Sequence, residues 1–163
     1  MVEPAIALFG GAYEKAAHVL EELLRESGAR YVLLLDRKGF VLAHKEALWA
    51  PRPPALDSLA TLIAGNAAAT QALAKMLGEP RFNELLHQGA TYGLYAEEVG
   101  ELALLVIIFD NSAPVGRIKL FGKRAAQSLE VITQDALVQP GTLGIDHEYR
   151  DGASALLDEL FGN

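Results

Sequence analysis

The chain of 163 residues contains no cysteine. That excludes disulfides, zinc–thiolate sites and a thiol nucleophile. Basic residues are scarce as well. Fourteen Lys and Arg against 21 Asp and Glu leave a net charge of −7, the wrong sign for a protein whose main partner is nucleic acid. Long apolar runs are missing too. The longest, LALLVIIF from Leu102 to Phe109, has eight residues, far short of a membrane span. The N-terminal stretch MVEPAIALFGGAYEKAAHVL carries an early acid and no basic segment ahead of an apolar core, so no signal peptide is read there. The expectation is a soluble, cytoplasmic protein that does not insert into a membrane.

Motifs for chemistry are absent in the same way. His18, His44, His87 and His147 are scattered, with no paired ligand spacing. The stretch DHEYRD gathers Asp146, His147, Glu148 and Asp151, but a loop of that composition is ordinarily just solvated. GRIKLFGKR, Gly116 to Arg124, imitates a phosphate loop and fails as one. It has five residues between its glycines instead of four, an arginine where Ser or Thr must follow the lysine, and a helical setting. Neither a GxSxG elbow nor a GxGxxG fingerprint occurs. No metal, no cofactor and no active site of its own are expected.

What remains is a well-punctuated globular domain, with 51% apolar residues. An amphipathic helix fits Ala12 to Ser27, its apolar stripe formed by Tyr13, Ala16, Ala17, Leu20, Leu23 and Leu24, with Gly28 as its cap. RYVLLLD and FVLAHKE read as a hairpin around DRKG, with Asp36 a turn residue and Gly39 free to take positive φ. The proline-rich APRPPALD leads out of the sheet. Asp57 or Ser58 then caps a helix ending at LGEP. Strands follow at RFNELLHQ, TYGLYAEE and ELALLVIIF, the last apolar enough to be covered on both faces. A final long helix spans about Val115 to Ala136. The order α-β-β-α-β-β-β-α makes an α/β sandwich (α+β), a five-stranded antiparallel sheet with helices on both faces. Residues 1–137 form that domain, and 138–163 an extension with a short amphipathic helix.

The middle helix is unusual. SLATLIAGNAAATQALA runs from Ser58 to Ala74 without a charge. A helical wheel gathers Leu59, Leu62, Ile63, Asn66, Thr70, Leu73 and Leu77 on one side, expected against the sheet. Opposite stand Ala60, Thr61, Ala64, Gly65, Ala68, Gln71, Ala72 and Lys75. A solvated face normally carries charged i,i+4 pairs. Small uncharged side chains instead permit close approach of another chain at little entropic cost. High helix propensity alone is the other explanation for so much alanine. Arg117, Lys119, Lys123 and Arg124 make a local basic cluster, either a solvated face or a docking point for an acidic partner or nucleotide site.

The element order, with GARYVLLLDRKGFVLA, DSLATLIAGNAAATQALAKMLGE and LLVIIFDNSAPVGRIKLFGKRAAQSLEVI, resembles the Roadblock (dynein light-chain) family over roughly residues 14–136, and within it the bacterial MglB branch. No single motif carries the likeness; three stretches in the right order do. The resemblance implies a homodimer in which the strand after the central helix pairs with its copy and the central helices lie side by side. On this chain the dimer residues would be Arg81, Phe82, Asn83, Glu84, Leu85 and Leu86, with Ala60 and Ala67 of the helix. The MglB branch further implies a Ras-like small GTPase as partner, whose hydrolysis the dimer accelerates, in cell polarity or gliding motility. The expected contacts are Ala64, Ala68, Gln71, Ala72 and Lys75, acting by selecting an aligned switch conformation. A rival mechanism inserts an arginine finger, Arg124 first and Arg117 second. In the extension, Leu156, Leu157, Leu160 and Phe161 share one apolar side suited to a second partner contact. A Roadblock-type scaffold without effect on hydrolysis, and a small-molecule sensor with a roomy sheet-face pocket, are the competing readings.

Overall fold

The structure, a computed structural model, describes residues 5–138. Strand β1 (Ala5–Ile6) precedes helix α1 (Gly10–Ser27), followed by β2 (Tyr31–Asp36), β3 (Val41–Glu46), α2 (Leu56–Met76), β4 (Glu84–Gln88), β5 (Tyr92–Val99), β6 (Ala103–Asp110), α3 (Val115–Asp135) and β7 (Leu137–Val138). The five-stranded sheet has the order β3-β2-β6-β5-β4 and is antiparallel throughout. This is the expected α+β sandwich. The pair β1–β7, in which Ala5 lies opposite Val138, ties the two ends of the domain together and has no counterpart in the sequence reading; two residues are too few to leave a periodicity. The extension expected from 138 onward, with Leu156, Leu157, Leu160 and Phe161, lies outside the described residues apart from Val138.

All eight residues of β6 are buried, as a strand covered on both faces requires. One face of the sheet packs on α1 and α3 through Leu20, Leu23, Leu34, Leu105, Ile107, Ile118 and Leu129. The other packs on α2 through Leu33, Leu35, Ala60, Ile63, Ala67, Val106 and Ile108. The hairpin turn is built as its sequence demands. Asp36 Oδ1 accepts the backbone N–H groups of Lys38 and Phe40, both at 2.9 Å. Gly39 takes φ +93°, and a Cβ there would sit 2.9 Å from the Thr61 Cα, so the tip of the hairpin touches α2 directly. The β2–β3 ladder is interrupted by a register shift between Leu34 and Leu35, a bulge on the sheet's first edge.

The rotation of α2 differs from the expectation. The alanine side faces the sheet: Ala60, Ile63, Ala64, Ala67, Thr70 and Ala74 are buried. Leu62 (73% exposed), Leu73 (56%) and Leu77 (72%), expected on the sheet, point outward together with Met76. Small side chains let the helix sit close against the apolar β2 and β6 surface, and the larger ones are left outside. The cap differs too: Ala55 precedes the helix and makes no side-chain cap, so neither Asp57 nor Ser58 serves.

Candidate functional site

Helix α2 presents three faces. The buried one is described above. A flank of Thr61, Gly65, Ala68, Ala72 and Lys75 is exposed, and so is a second of Leu62, Asn66, Ala69, Leu73 and Met76. Both flanks are free of charge up to Lys75. Of the residues expected to meet a partner, Ala68, Ala72 and Lys75 are at the surface, whereas Ala64 is buried under the helix. Ala60 and Ala67, expected between two copies, are likewise enclosed by this chain's own sheet at 0% and 3% exposure. The correction follows from the rotation of the helix.

Gln71 is engaged internally. Its amide nitrogen donates to the Phe82 carbonyl at 2.9 Å and to Glu98 Oε1 at 2.7 Å, and its oxygen accepts the Phe82 N–H at 3.2 Å. Glu98 in turn is held by Arg37. Phe82 is therefore satisfied by a side chain, not by a neighbouring strand. This is why β4 begins at Glu84 and not at Arg81; Arg81, Phe82 and Asn83 lie before it.

Strand β4 is the second edge of the sheet, five residues long. Leu85 packs toward α2 and Leu86 toward α1 and α3. Glu84 is fixed from α3 by Lys119 and Lys123, both at 3.2 Å, and accepts the Tyr95 hydroxyl at 3.1 Å. Burial works against its charge, but these hydrogen bonds outweigh it and hold the carboxyl below its ordinary pKa. Glu97, directly opposite in β5, is pushed up, by burial first, with the nearby charges of Glu84 and Glu98 adding to the effect. Burial and the two carboxylates also raise the Tyr95 hydroxyl. The basic cluster is thus partly spent on the fold.

Neither finger candidate stands beside the platform. Arg117 donates to the Glu26 carbonyl at 2.6 Å, and Arg124 lies 5.7 Å from the Phe121 ring, lining a groove with Glu22 and Glu26 of α1. Both belong to the face opposite α2.

Two features leave no signal that sequence reading detects. At one end of the sheet Arg30 lies between Trp49 (5.4 Å) and Tyr92 (5.0 Å) while bonding Asp110 at 2.6 Å. The Ser112 hydroxyl and Arg30 lower the Asp110 carboxyl, and Asp110 raises Arg30. Beside this constellation, on the α2 side, an open cleft of about 600 Å³ is lined by Tyr31, Pro51, Leu59, His87, Tyr92, Leu94 and Ile108, among others. The apolar runs suggest a filled core there; among the described residues, the one helix on this face, α2, leaves this part of the sheet uncovered. Among the described residues no cluster of three potential metal ligands forms, and the stretch with Asp146, His147, Glu148 and Asp151 lies outside them. No described helix is long and apolar enough to cross a membrane.

An antiparallel sheet in this order, two helices on one face and, among the described residues, one helix on the other that is uncharged from Ser58 to Ala74 define a Roadblock-type domain. The Roadblock/LC7 domain model matches residues 15–109, and the chain belongs to that family. It is similar to the gliding protein MglB from Thermus thermophilus, at 67% identity and a TM-score of 0.80, over 83% of this chain and all of that one. A structure of MglB with tetrameric arrangement matches equally, at 67% identity, TM-score 0.80 and 83% and 99% coverage. MglB of Myxococcus xanthus matches at 35% identity and a TM-score of 0.69, over 74% of this chain and 96% of that one. Comparison with curated protein sequences gives no match.

Proposed function

We propose that this protein is a homodimeric regulator of a Ras-like small GTPase that stimulates GTP hydrolysis, in the service of cell polarity or gliding motility. The observation that carries the reading is the pairing of a partly exposed helix, uncharged from Ser58 to Ala74, with a sheet edge that is open among the described residues. Leu62, Leu73 and Met76 flank α2 at 56–84% exposure, and β4 has one side of its ladder unpaired among the described residues. Exposed apolar helix faces and open edges invite association. The gliding-protein relatives supply the cellular setting, and the tetrameric MglB arrangement supports self-association.

In this reading the leucine flank and β4 meet a second copy. The small-residue flank, Thr61, Gly65, Ala68, Ala72 and Lys75, then forms the platform for the GTPase. The platform has little charge to offer a transition state. It therefore acts by favouring the switch conformation in which the GTPase's own groups are aligned. Arg117 and Arg124 take no part, since they occupy the other face. The direct test is GTP turnover by the host's Ras-like GTPase with and without this protein. Acceleration that is lost in Ala68→Arg supports the reading. Binding without acceleration leaves a scaffold, and an Ala68→Arg variant as active as the parent overturns the platform.

A further inference from the structure

We infer that Glu97 holds a proton shared with Tyr95, and that this proton governs how firmly α3 grips the edge strand β4. The device lies on the α1–α3 side of the sheet, away from the platform on α2, and does not rest on the function proposed above.

The first observation is one of placement. Side chains two apart on a strand share a face, so Tyr95 and Glu97 of β5 point the same way. Tyr95 belongs to the core on the α1–α3 side, and Glu84 stands opposite Glu97 across the ladder. Above them α3 comes close to the sheet. A Cβ on Gly122 would lie 3.0 Å from the Tyr95 ring and 3.0 Å from Ile107. That seat brings Lys119 and Lys123, on either side of Gly122, each to 3.2 Å from Glu84. It also fixes the Tyr95 ring, which is fully enclosed, so the phenol oxygen cannot leave its neighbours.

The second observation is a proton count. The Tyr95 hydroxyl contacts Glu84 Oε2 at 3.1 Å and also Glu97 Oε2. A hydroxyl has one proton to donate, and an ionised carboxylate can only accept. Two ionised carboxylates therefore leave one of these contacts without a proton. Both become hydrogen bonds once one carboxyl is protonated and donates to the phenol oxygen. Glu84 is not that group, because two ammonium groups hold it as an anion. Glu97 is. It is half-buried, and among the described residues no cation forms an ion pair with it. Donation then runs from Glu97 to Tyr95 and from Tyr95 to Glu84, with the two lysines closing the chain from α3. The shifts agree with this order. Glu97 is raised, by burial first, and Glu84 is lowered despite its burial by its bonds to Lys119, Lys123 and Tyr95.

The surrounding charges do not replace the proton. Lys119 and Lys123 are spent on Glu84, and Glu98, next in β5, is engaged by Arg37. Arg81, Lys123, Glu98 and Glu130 line a hollow of about 270 Å³ beside Glu97, which gives water a path to the carboxyl, so the proton comes from solvent and returns to it. Once it leaves, Tyr95 can serve only one carboxylate, and Glu84 and Glu97 repel across the ladder. Lys123 is then drawn toward both. The grip on β4 is therefore present at the ordinary glutamate value of about 4.3 and is lost as pH rises through the raised folded value of Glu97.

Carboxyl-carbon NMR of the full chain across pH tests the assignment. Glu97 should titrate above about 4.3 and Glu84 below it. Tyr95→Phe keeps the ring and removes the oxygen. The protonated state then loses two hydrogen bonds and the ionised state one, so the Glu97 midpoint should fall. A midpoint that rises or stays would mean that the hydroxyl donates to an ionised Glu97, and overturns the inference. Titration of Glu97 at or below the ordinary value in the unaltered protein overturns it without any variant. As a second arm, amide exchange at Leu85, Leu86 and His87, corrected for intrinsic rates, should speed up at least about threefold as pH passes the Glu97 midpoint. Glu97→Gln, whose amide nitrogen can donate to Tyr95 at every pH, should keep the slow rate throughout. Exchange that is insensitive to pH in the unaltered protein, or that follows pH equally in Glu97→Gln, overturns the grip.

Discussion

The side-chain amide of Gln71 pairs with the backbone of Phe82 in both directions, accepting its N–H and donating to its carbonyl. One helical residue thereby does for the approach to β4 what a neighbouring strand would do. The same amide reaches Glu98, and Glu98 reaches Arg37, so the helix, the edge and the β2–β3 turn are linked through three side chains.

Gln71→Ala leaves the Phe82 backbone and Glu98 without these partners. A loss of about 1–2 kcal/mol is expected, with faster amide exchange at Phe82 and along β4 than elsewhere in the sheet. Urea unfolding and hydrogen exchange measure the two effects. An unchanged midpoint with unchanged exchange would mean the clamp is ornamental.

Neighbouring alanines should respond in opposite ways. Ala67→Arg forces a long cation against the sheet at a position only 3% exposed, at a cost of about 3 kcal/mol or more. Ala68→Arg points into solvent and should change stability by about 0.5 kcal/mol or less. Thermal melts of the two variants report the rotation of α2 directly. Equal melting temperatures would contradict it.

Glu84 and Glu97 face each other across β4 and β5 yet are shifted oppositely. Glu84 is lowered, so its contribution is present above the ordinary glutamate pKa of about 4.3 and lost as pH falls through the folded value. Glu97 is raised, so its contribution is present below that ordinary value and lost as pH rises through the folded one. Glu84→Gln should therefore lower the melting temperature at pH 7, and Glu97→Gln should raise it. The Glu97 difference should fade as pH falls to about 4, whereas the Glu84 difference should be lost only as pH falls further, through its lowered folded value. Melting curves across that range, with Lys123, Glu98 and Tyr95 left intact, decide whether the signs are right.

Gly93 lies opposite Phe109 in the ladder, and the Phe109 ring occupies the space a side chain at Gly93 would need. Gly93→Ala should cost about 1–3 kcal/mol through overpacking. A further substitution of Phe109 to leucine should recover part of the loss, which a double-mutant comparison reads out.

Most of the architecture is legible from period and punctuation. The hairpin at Asp36 and Gly39, the fully buried β6 and the helix ends at Gly28 and Gly78 stand where the sequence places them. The rotation of α2 is not legible. A wheel reads orientation from contrast between apolar and polar sides, and this helix has almost no polar side to read. The deciding quantity is size: alanine allows a close seat, leucine does not. The start of β4 is hidden for a related reason, because a backbone satisfied by a distant glutamine leaves no mark in local sequence. Of the expected contact residues, those on the exposed flank survive as surface, and those one step round the helix belong to the core.

The bulge between Leu34 and Leu35 has a consequence for growth. If two chains join through β4, the merged sheet ends at both sides in β3, whose ladder partner is already irregular and whose sequence ends in His44, Lys45 and Glu46. A kinked, charged rim is a poor template for another strand. Addition by strand pairing then terminates after one step, giving a closed pair instead of a ribbon. Any higher assembly of this chain would have to be built from its helices.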